Sequence, residues 1–268
     1  MYPDYLLHKI DSNGNTALIY ACRFEQTLKA LKILESGADV CKLNYVDKTN
    51  NTALIYACLF GMEKVAMKML TFGVDACNLG HINNDGDTAL IRACSGGMKE
   101  ATLKILSFGS ETCLLHQVDN AGYTALILAC MHRMNDAILE MIHCEEEQCN
   151  INHIDQCNHN ALTRVCFAGM SGIAMKLIGK CKLSQVDLYG RTALMYACKN
   201  KMTDVALRII ESNYPQCNVN QIDNDGRTAI DYALENHMTE VVLKMKERHT
   251  ITIHHQNNLL QIVINFTQ

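Results

Sequence analysis

Apolar residues recur along this chain in one short phrase, Thr16-Ala-Leu-Ile-Tyr-Ala-Cys22. The phrase returns at Thr52–Cys58, Thr88–Cys94, Thr124–Cys130, Asn160–Cys166, Thr192–Cys198 and Thr228–Leu234, every 36 residues except for one step of 32. In the second copy Leu54, Ala57 and Cys58 fall on one face at helical spacing, and Thr52 stands where a hydroxyl can cap the first exposed amides. Gly61 interrupts the pattern after about two turns; Val65, Ala66, Met69 and Leu70 then mark the apolar stripe of a second helix, closed by Gly73. Gly37 and Gly109 close other copies and Asn213 replaces them once; glycine and asparagine are the residues that best adopt the left-handed turn at a helix end. The turn before each first helix carries Asp followed three residues later by Gly or Asn, as in Asp11/Gly14, Asp47/Asn50, Asp119/Gly122, Asp155/Asn158, Asp187/Gly190 and Asp223/Gly226. Both residue types tolerate positive φ, so a backbone requirement is expected there.

A fixed period of this length means that each unit buries its apolar face only against its neighbours. The pattern therefore predicts an all-α solenoid of about seven helix-turn-helix repeats with projecting β-turn or hairpin fingers. The repeats span 11–46, 47–82, 83–118, 119–154, 155–186, 187–222 and 223–248. Residues 1–10 are left as an N-terminal capping segment with room for one helix over Asp4–Ile10, and 249–268 as a C-terminal cap or tail. In that tail Ile251-Thr-Ile253, Asn257-Asn258 and Leu259–Phe266 favour strand or hairpin over helix. The fifth unit is irregular: its step is four residues short, and Glu145 stands where Gly73 and Gly109 stand elsewhere, so a bend or loosening is expected between 143 and 190.

Composition narrows the chemistry. Twenty-four basic against 28 acidic residues, with no Lys/Arg run, argues against nucleic acid as a partner. No 18-residue apolar stretch is present and the first residues lack a basic, then apolar, leader, so a soluble, cytoplasmic, monomeric protein away from membranes is expected. Six of fourteen cysteines (Cys22, Cys58, Cys94, Cys130, Cys166, Cys198) share one helix position, and six more (Cys41, Cys77, Cys113, Cys149, Cys181, Cys217) form a second column in the connections. Helices stack about 8–10 Å apart, whereas a disulfide needs Cα atoms within about 7 Å, so neighbours in a column read as reduced thiols. Buried free cysteine acts as a small hydrophobe. Six methionines, Met62, Met98, Met134, Met170, Met202 and Met238, form a further packing column.

Turn, helix, loop, helix, with a Thr-initiated first helix and closing segments such as Leu34-Glu-Ser-Gly-Ala-Asp-Val40, resembles the ankyrin repeat over some nine-tenths of the chain. The family's Thr-Pro-Leu-His becomes Thr-Ala-Leu-Ile here, with Ile19, Ile55, Ile91, Ile127, Thr163, Met195 and Asp231 at the His position; apolar packing there is expected to replace a hydrogen bond. Three extra residues after most second helices imply longer fingers. The Cys- and Met-rich dialect is similar to ankyrin proteins of giant DNA viruses of amoebae, which would place the protein in a host cytoplasm.

The resemblance implies a non-enzymatic module that binds a protein partner through a concave groove and finger tips. Carried over by position, its contact residues are Arg23, Phe24, Leu59, Phe60, Met131, His132, Phe167, Lys199 and Asn200, with tips at Asn51, Tyr123, His159, Tyr189 and Arg191. Aromatic residues and arginine suit interface hot spots. Filling gaps beside the next loop is the competing role for Phe24, Phe60 and Phe167. The alternative function is an adaptor whose tail recruits host machinery such as a ubiquitin ligase. No catalytic residue and no cofactor are expected: phosphate loop, His-Glu-x-x-His and nucleophile elbow are all missing, and Glu145, Glu146 and Glu147 read as a solvated run. His143, Cys144, Cys149, His153, Cys157 and His159 offer six zinc-ligand types in 17 residues. Their spacing forms no Cys-x-x-Cys knuckle and Cys149 belongs to a structural column, so no metal site is expected either.

Overall fold

The computed structural model describes residues 9–143, 149–212, 217–248, 250–254 and 261–265. The expected N-terminal helix before residue 9, Cys144, the Glu145–Glu147 run, Asn213 and the tail residues Asn257–Leu260 and Phe266 lie outside them. The chain divides into two compact units, Met1–Gln156 and Cys157–Gln268. Among the described residues there are sixteen helices and one two-stranded hairpin.

In the first unit, first helices α1 (Ala17–Arg23), α4 (Ala53–Leu59), α7 (Ala89–Ser95) and α9 (Ala125–Met131) pack successively into one layer. Second helices α2 (Thr27–Leu34), α5 (Glu63–Leu70), α8 (Lys99–Leu106) and α10 (Asn135–Ile142) form the other, and the one-turn helices α3 (Ala38–Cys41) and α6 (Val74–Cys77) lie in the connections. The second unit repeats the scheme with α11 (Ala161–Phe167), α13 (Ala193–Lys199) and α15 (Ala229–Glu235) against α12 (Ser171–Leu177), α14 (Thr203–Ser212) and α16 (Thr239–Arg248). It ends in the antiparallel pair β1 (Thr250–His254) and β2 (Gln261–Asn265), the strand propensity expected of the tail.

Each first helix starts as its cap predicts. Thr52 Oγ1 accepts from the Ile55 amide at 3.1 Å, and Asn160 Oδ1 does the same for Thr163 at 2.9 Å. Leu54, Ala57 and Cys58 are buried, as are the methionine column and the Val65, Ala66, Met69 and Leu70 stripe. Burying each large aliphatic side chain contributes about 1.5–3 kcal/mol, so most stability comes from the seams between repeats. The described cysteines are free thiols, all buried except the half-buried Cys157.

The three extra residues per repeat do not lengthen the fingers. They form α3 and α6: the chain reverses at Gly37 and Gly73, turns once with Asp39 and Asp75 in the first turn, and buries Cys41 and Cys77 before a left-handed exit at Lys42 and Asn78. Burial of the second cysteine column is the reason, since the turn carries those thiols into the core. The fingers stay short, closed by single bridges Val46↔Thr52, Val118↔Thr124 and Val186↔Thr192. In the irregular fifth repeat α12 is one residue shorter than α10 and is followed by extended Ile178, where α2, α5, α8 and α10 are followed by a helical residue.

Candidate interaction surface

The fingers are built from one side chain each. Asp47 Oδ1 accepts the amides of Thr49 (2.9 Å) and Asn51 (3.0 Å), while its own amide donates to the Asn51 carbonyl and its carbonyl accepts from Asn50. Asp11, Asp187 and Asp223 repeat both side-chain contacts, and Asn83 Oδ1 does so on the amides of Asp85 and Asp87 at 2.9 Å each. A short polar side chain that mimics backbone is what such a turn needs.

The second carboxylate oxygen faces the first-helix layer. Tyr56 donates to Asp47 at 2.7 Å, Tyr196 to Asp187 at 2.5 Å and Tyr232 to Asp223 at 2.6 Å, each tying a finger to the middle of its helix. Burial alone would raise the carboxyl of Asp47, but hydrogen bonds from Thr49, Tyr56 and two amides outweigh it and hold the group below the usual carboxylate range. Asp223 is lowered in the same way, with Tyr232, the Arg227 amide and Arg191 overcoming burial. The phenols of Tyr56 and Tyr232 are raised, by burial first and then by the facing carboxylate. In the third repeat the pattern inverts: Asn83 replaces the aspartate, Arg92 replaces the tyrosine, and Arg92 pairs with buried Asp87. Burial still leaves Asp87 above its ordinary value against the pull of Arg92.

Successive fingers within each unit are laced together. Lys48 N donates to Asn13 O (2.9 Å), Asn120 N to Asp85 O (2.9 Å), Leu188 N to Cys157 O (3.2 Å) and Asn224 N to Tyr189 O (2.9 Å). A side-chain ladder runs beside these bonds: His81 Nε2 meets Asn50 O at 2.8 Å, Gln117 donates to Gly86 O at 3.1 Å, His153 Nε2 meets Gly122 O at 2.9 Å, and Gln185 donates to Asn158 O at 3.0 Å. A carbonyl only accepts, so Nε2 carries the proton in both histidines. His153, one of the six zinc-ligand types, is thereby engaged in the finger ladder.

Beside this rigid row the ends of the first helices expose apolar side chains. In the first unit Phe24 (54 % exposed) lies 4.5 Å from the Tyr20 ring, Phe60 (38 %) stacks on Tyr56 at 6.2 Å, and Leu59 and Met131 are also exposed. In the second unit Phe167 (52 %) meets Tyr196 edge-on at 5.3 Å, and Leu188 and Tyr189 stand exposed at a finger tip.

Models of known families were compared with the chain at this point of the description. "Ankyrin repeats (3 copies)" matches over 30–112, 66–155, 133–221 and 162–257, and "Ankyrin repeat" over 13–45. This chain belongs to the ankyrin-repeat family. Among solved structures the ankyrin repeat domain of Bcl-3, an IκB-family protein, is similar in fold, with 16 % identity, a TM-score of 0.58, and coverage of 88 % of this chain and 100 % of that one. A chain from the structure of the predatory endopeptidase Bd0816 of Bdellovibrio bacteriovorus in complex with the immunity protein Bd3460 is similar at 20 % identity and a TM-score of 0.55, over 74 % and 99 % of the two chains. No curated protein sequence gives a significant match.

On this ankyrin scaffold the sequence-selected contact residues fall into two groups. Arg23, Phe24, Leu59, Phe60, Met131, His132, Phe167, Tyr189 and Lys199 are exposed, and Tyr123 is half-buried. His159 is not an accessible tip: it is 4 % exposed, 3.4 Å from Asp187 Oδ2 and stacked on Phe167 at 5.8 Å. Asn51 is likewise buried and accepts from Asn83 Nδ2. Arg191 is half-buried and bridges to Asp223 (3.2 Å) and Asp225 (2.8 Å) of the next finger, which commits its guanidinium to the scaffold. Sequence reasoning missed Tyr20 and Leu188, both exposed. Tyr20 was hidden inside the repeated phrase, although that position alternates between Tyr and Arg rather than staying apolar, which is the signal of a solvent-facing site.

Proposed function

We propose that this ankyrin-repeat protein is a non-enzymatic interaction module that binds a protein partner through the first-helix ends and finger tips. The observation that carries the reading is the set of exposed aromatic and aliphatic side chains, Phe24, Leu59, Phe60, Met131 and Phe167, held beside fingers that are rigidly hydrogen-bonded. Preorganised backbone lowers the ordering cost of association, and buried aromatic anchors dominate interface energetics. Arg23, His132, Tyr189 and Lys199 form the polar margin, with Tyr123 half-buried beside them. The two structural neighbours support an interaction role by fold alone, one being an IκB-family repeat domain and the other part of an enzyme–immunity protein complex.

The same reading places a monomer in the cytoplasm, that of a host if the source is a giant virus. No described helix is long and apolar enough to cross a membrane. The test is affinity capture from the native cell with the wild-type chain and with Phe24→Ala/Phe60→Ala and Phe167→Ala. A partner held by the wild type and lost from variants with unchanged thermal melts supports the surface; equal capture by all three sinks it. The adaptor alternative, with residues 249–268 recruiting a ubiquitin ligase, requires that a chain lacking them keep its melting temperature and lose one partner.

A further inference from the structure

The last repeat ends in an apolar surface where a solenoid end in water would be polar. Six of the seven phrases close with a cysteine that is fully buried by the following repeat, as Cys198 is; in the seventh the residue is Leu234, and it is 42 % exposed. No later repeat constrains the size of this side chain, so nothing in the repeat packing calls for leucine. Leu243 of α16 is 54 % exposed, although Leu207 one repeat earlier is half-buried. Between α15 and α16 these leucines edge a cavity of about 310 Å³ lined also by Ala233, Met238 and Val242, with His237 and Lys246 at its margin.

The segment that follows is patterned to match. The register pairs Ile251 with Ile264, Thr252 with Val263, Thr250 with Asn265 and His254 with Gln261. Opposed residues share a face and successive residues alternate, so Ile251, Ile253, Ile262 and Ile264 occupy one face of the hairpin. Thr250, Thr252, His254, Gln261, Val263 and Asn265 occupy the other. An isolated two-stranded hairpin is marginal in water and needs an apolar support. A single residue separates α16 from β1, so the end surface of the same chain is presented to the hairpin at a far higher effective concentration than any second molecule could be.

We propose that the isoleucine face of the β1–β2 hairpin closes the α15–α16 end surface, making the tail a non-repeat cap for the ankyrin array. This assignment is independent of the partner-binding surface, which lies on the finger side. The test compares full-length Ile251→Asp/Ile264→Asp with Thr252→Lys/Val263→Glu, a pair on the opposite face. The first pair is expected to lower the melting midpoint by about 5 °C and to speed amide exchange in α15 and α16 by about tenfold; the second is expected to leave both unchanged. Leu234→Gln supplies the reciprocal arm, destabilising the wild-type chain and doing little in the Ile251→Asp/Ile264→Asp background, because the two sides of one contact are not additive. Equal effects of the two hairpin pairs, or additivity with Leu234→Gln, overturn the cap. A dimer in the wild type that the isoleucine variants dissociate also overturns it, assigning the end surface to a second copy.

Discussion

At the scale of single residues, the finger aspartates show how one side chain can hold a turn, a helix and a neighbour together. Tyr56→Phe removes the bond to Asp47 Oδ2 and is expected to cost about 1–2 kcal/mol, read from denaturant unfolding. Asp47 and Asp223 have lowered folded-state values, so their ionised forms stabilise the fold. That contribution is complete above the ordinary aspartate pKa of about 3.9 and is lost as pH falls through the lower folded value. Melting temperature should therefore drop below about pH 4, and Asp47→Asn, which copies the natural Asn83, should flatten that decline; an unaltered profile would refute the assignment. The cysteines behave oppositely. Burial pushes the thiols of Cys94 and Cys198 up to about 12, and with their thiolates suppressed the column cysteines should react with an aromatic disulfide reagent only as fast as the chain unfolds. Fast labelling of Cys94 in native protein would contradict this.

Among the elements, the same local sequence meets different surroundings, and the consequences differ in sign. Gly86 and Gly122 share φ of +79°, yet a Cβ at Gly86 would lie 2.9 Å from Asn120 Oδ1 and 3.0 Å from Asn120 N, whereas at Gly122 the nearest atom is 4.0 Å away. Both Ala substitutions carry the left-handed cost of about 1–2 kcal/mol, and Gly86→Ala is expected to lose more because the fingers touch there. Gly172, inside α12, meets nothing within 4 Å and is exposed, so Gly172→Ala should stabilise by about 0.5–1 kcal/mol. Equal melting temperatures for Gly86→Ala and Gly122→Ala, or a loss at Gly172→Ala, would show that these surroundings are misread. Element positions were legible because Thr and Asn caps and apolar stripes are local signals. The one-turn helices α3 and α6 were not, since a four-residue turn has no period of its own. Nor was the left-handed backbone after the first helices at Glu25, Arg133, Lys201 and His237, where packing holds non-glycine residues in a conformation that their local preference disfavours.

For the molecule as a whole, repeat stacking turns local rules into a surface. Each unit is two layers of helices edged by a ladder of finger bonds, and binding falls to whatever the first helices leave uncovered. Phe24 and Phe60 were identified from position alone and are exposed; His159 and Arg191, chosen by the same rule, are drawn into contacts with Asp187 and Asp223. The difference lies in the neighbouring repeat, which supplies the partner carboxylate, and no single-repeat pattern reports that. Hydrogen exchange should separate the ends from the middle, with α7 and α8 slower than α15 and α16, because interior repeats are covered on both sides. Uniform protection would argue against nearest-neighbour stabilisation.

What the sequence by itself determined is the repeat: its period, its caps, its apolar stripes and the absorption of most cysteines and methionines into packing. All of these follow from interactions within about four residues or from a strict 36-residue recurrence. Only the tertiary structure decided which polar side chains are spent holding the fingers and which apolar ones stay free for a partner, and it exposed the leucine-lined end beside the hairpin. Those outcomes depend on atoms contributed by adjacent repeats, 31 to 36 positions away along the chain in the finger ladder, and a contact between repeats is settled only once both are folded.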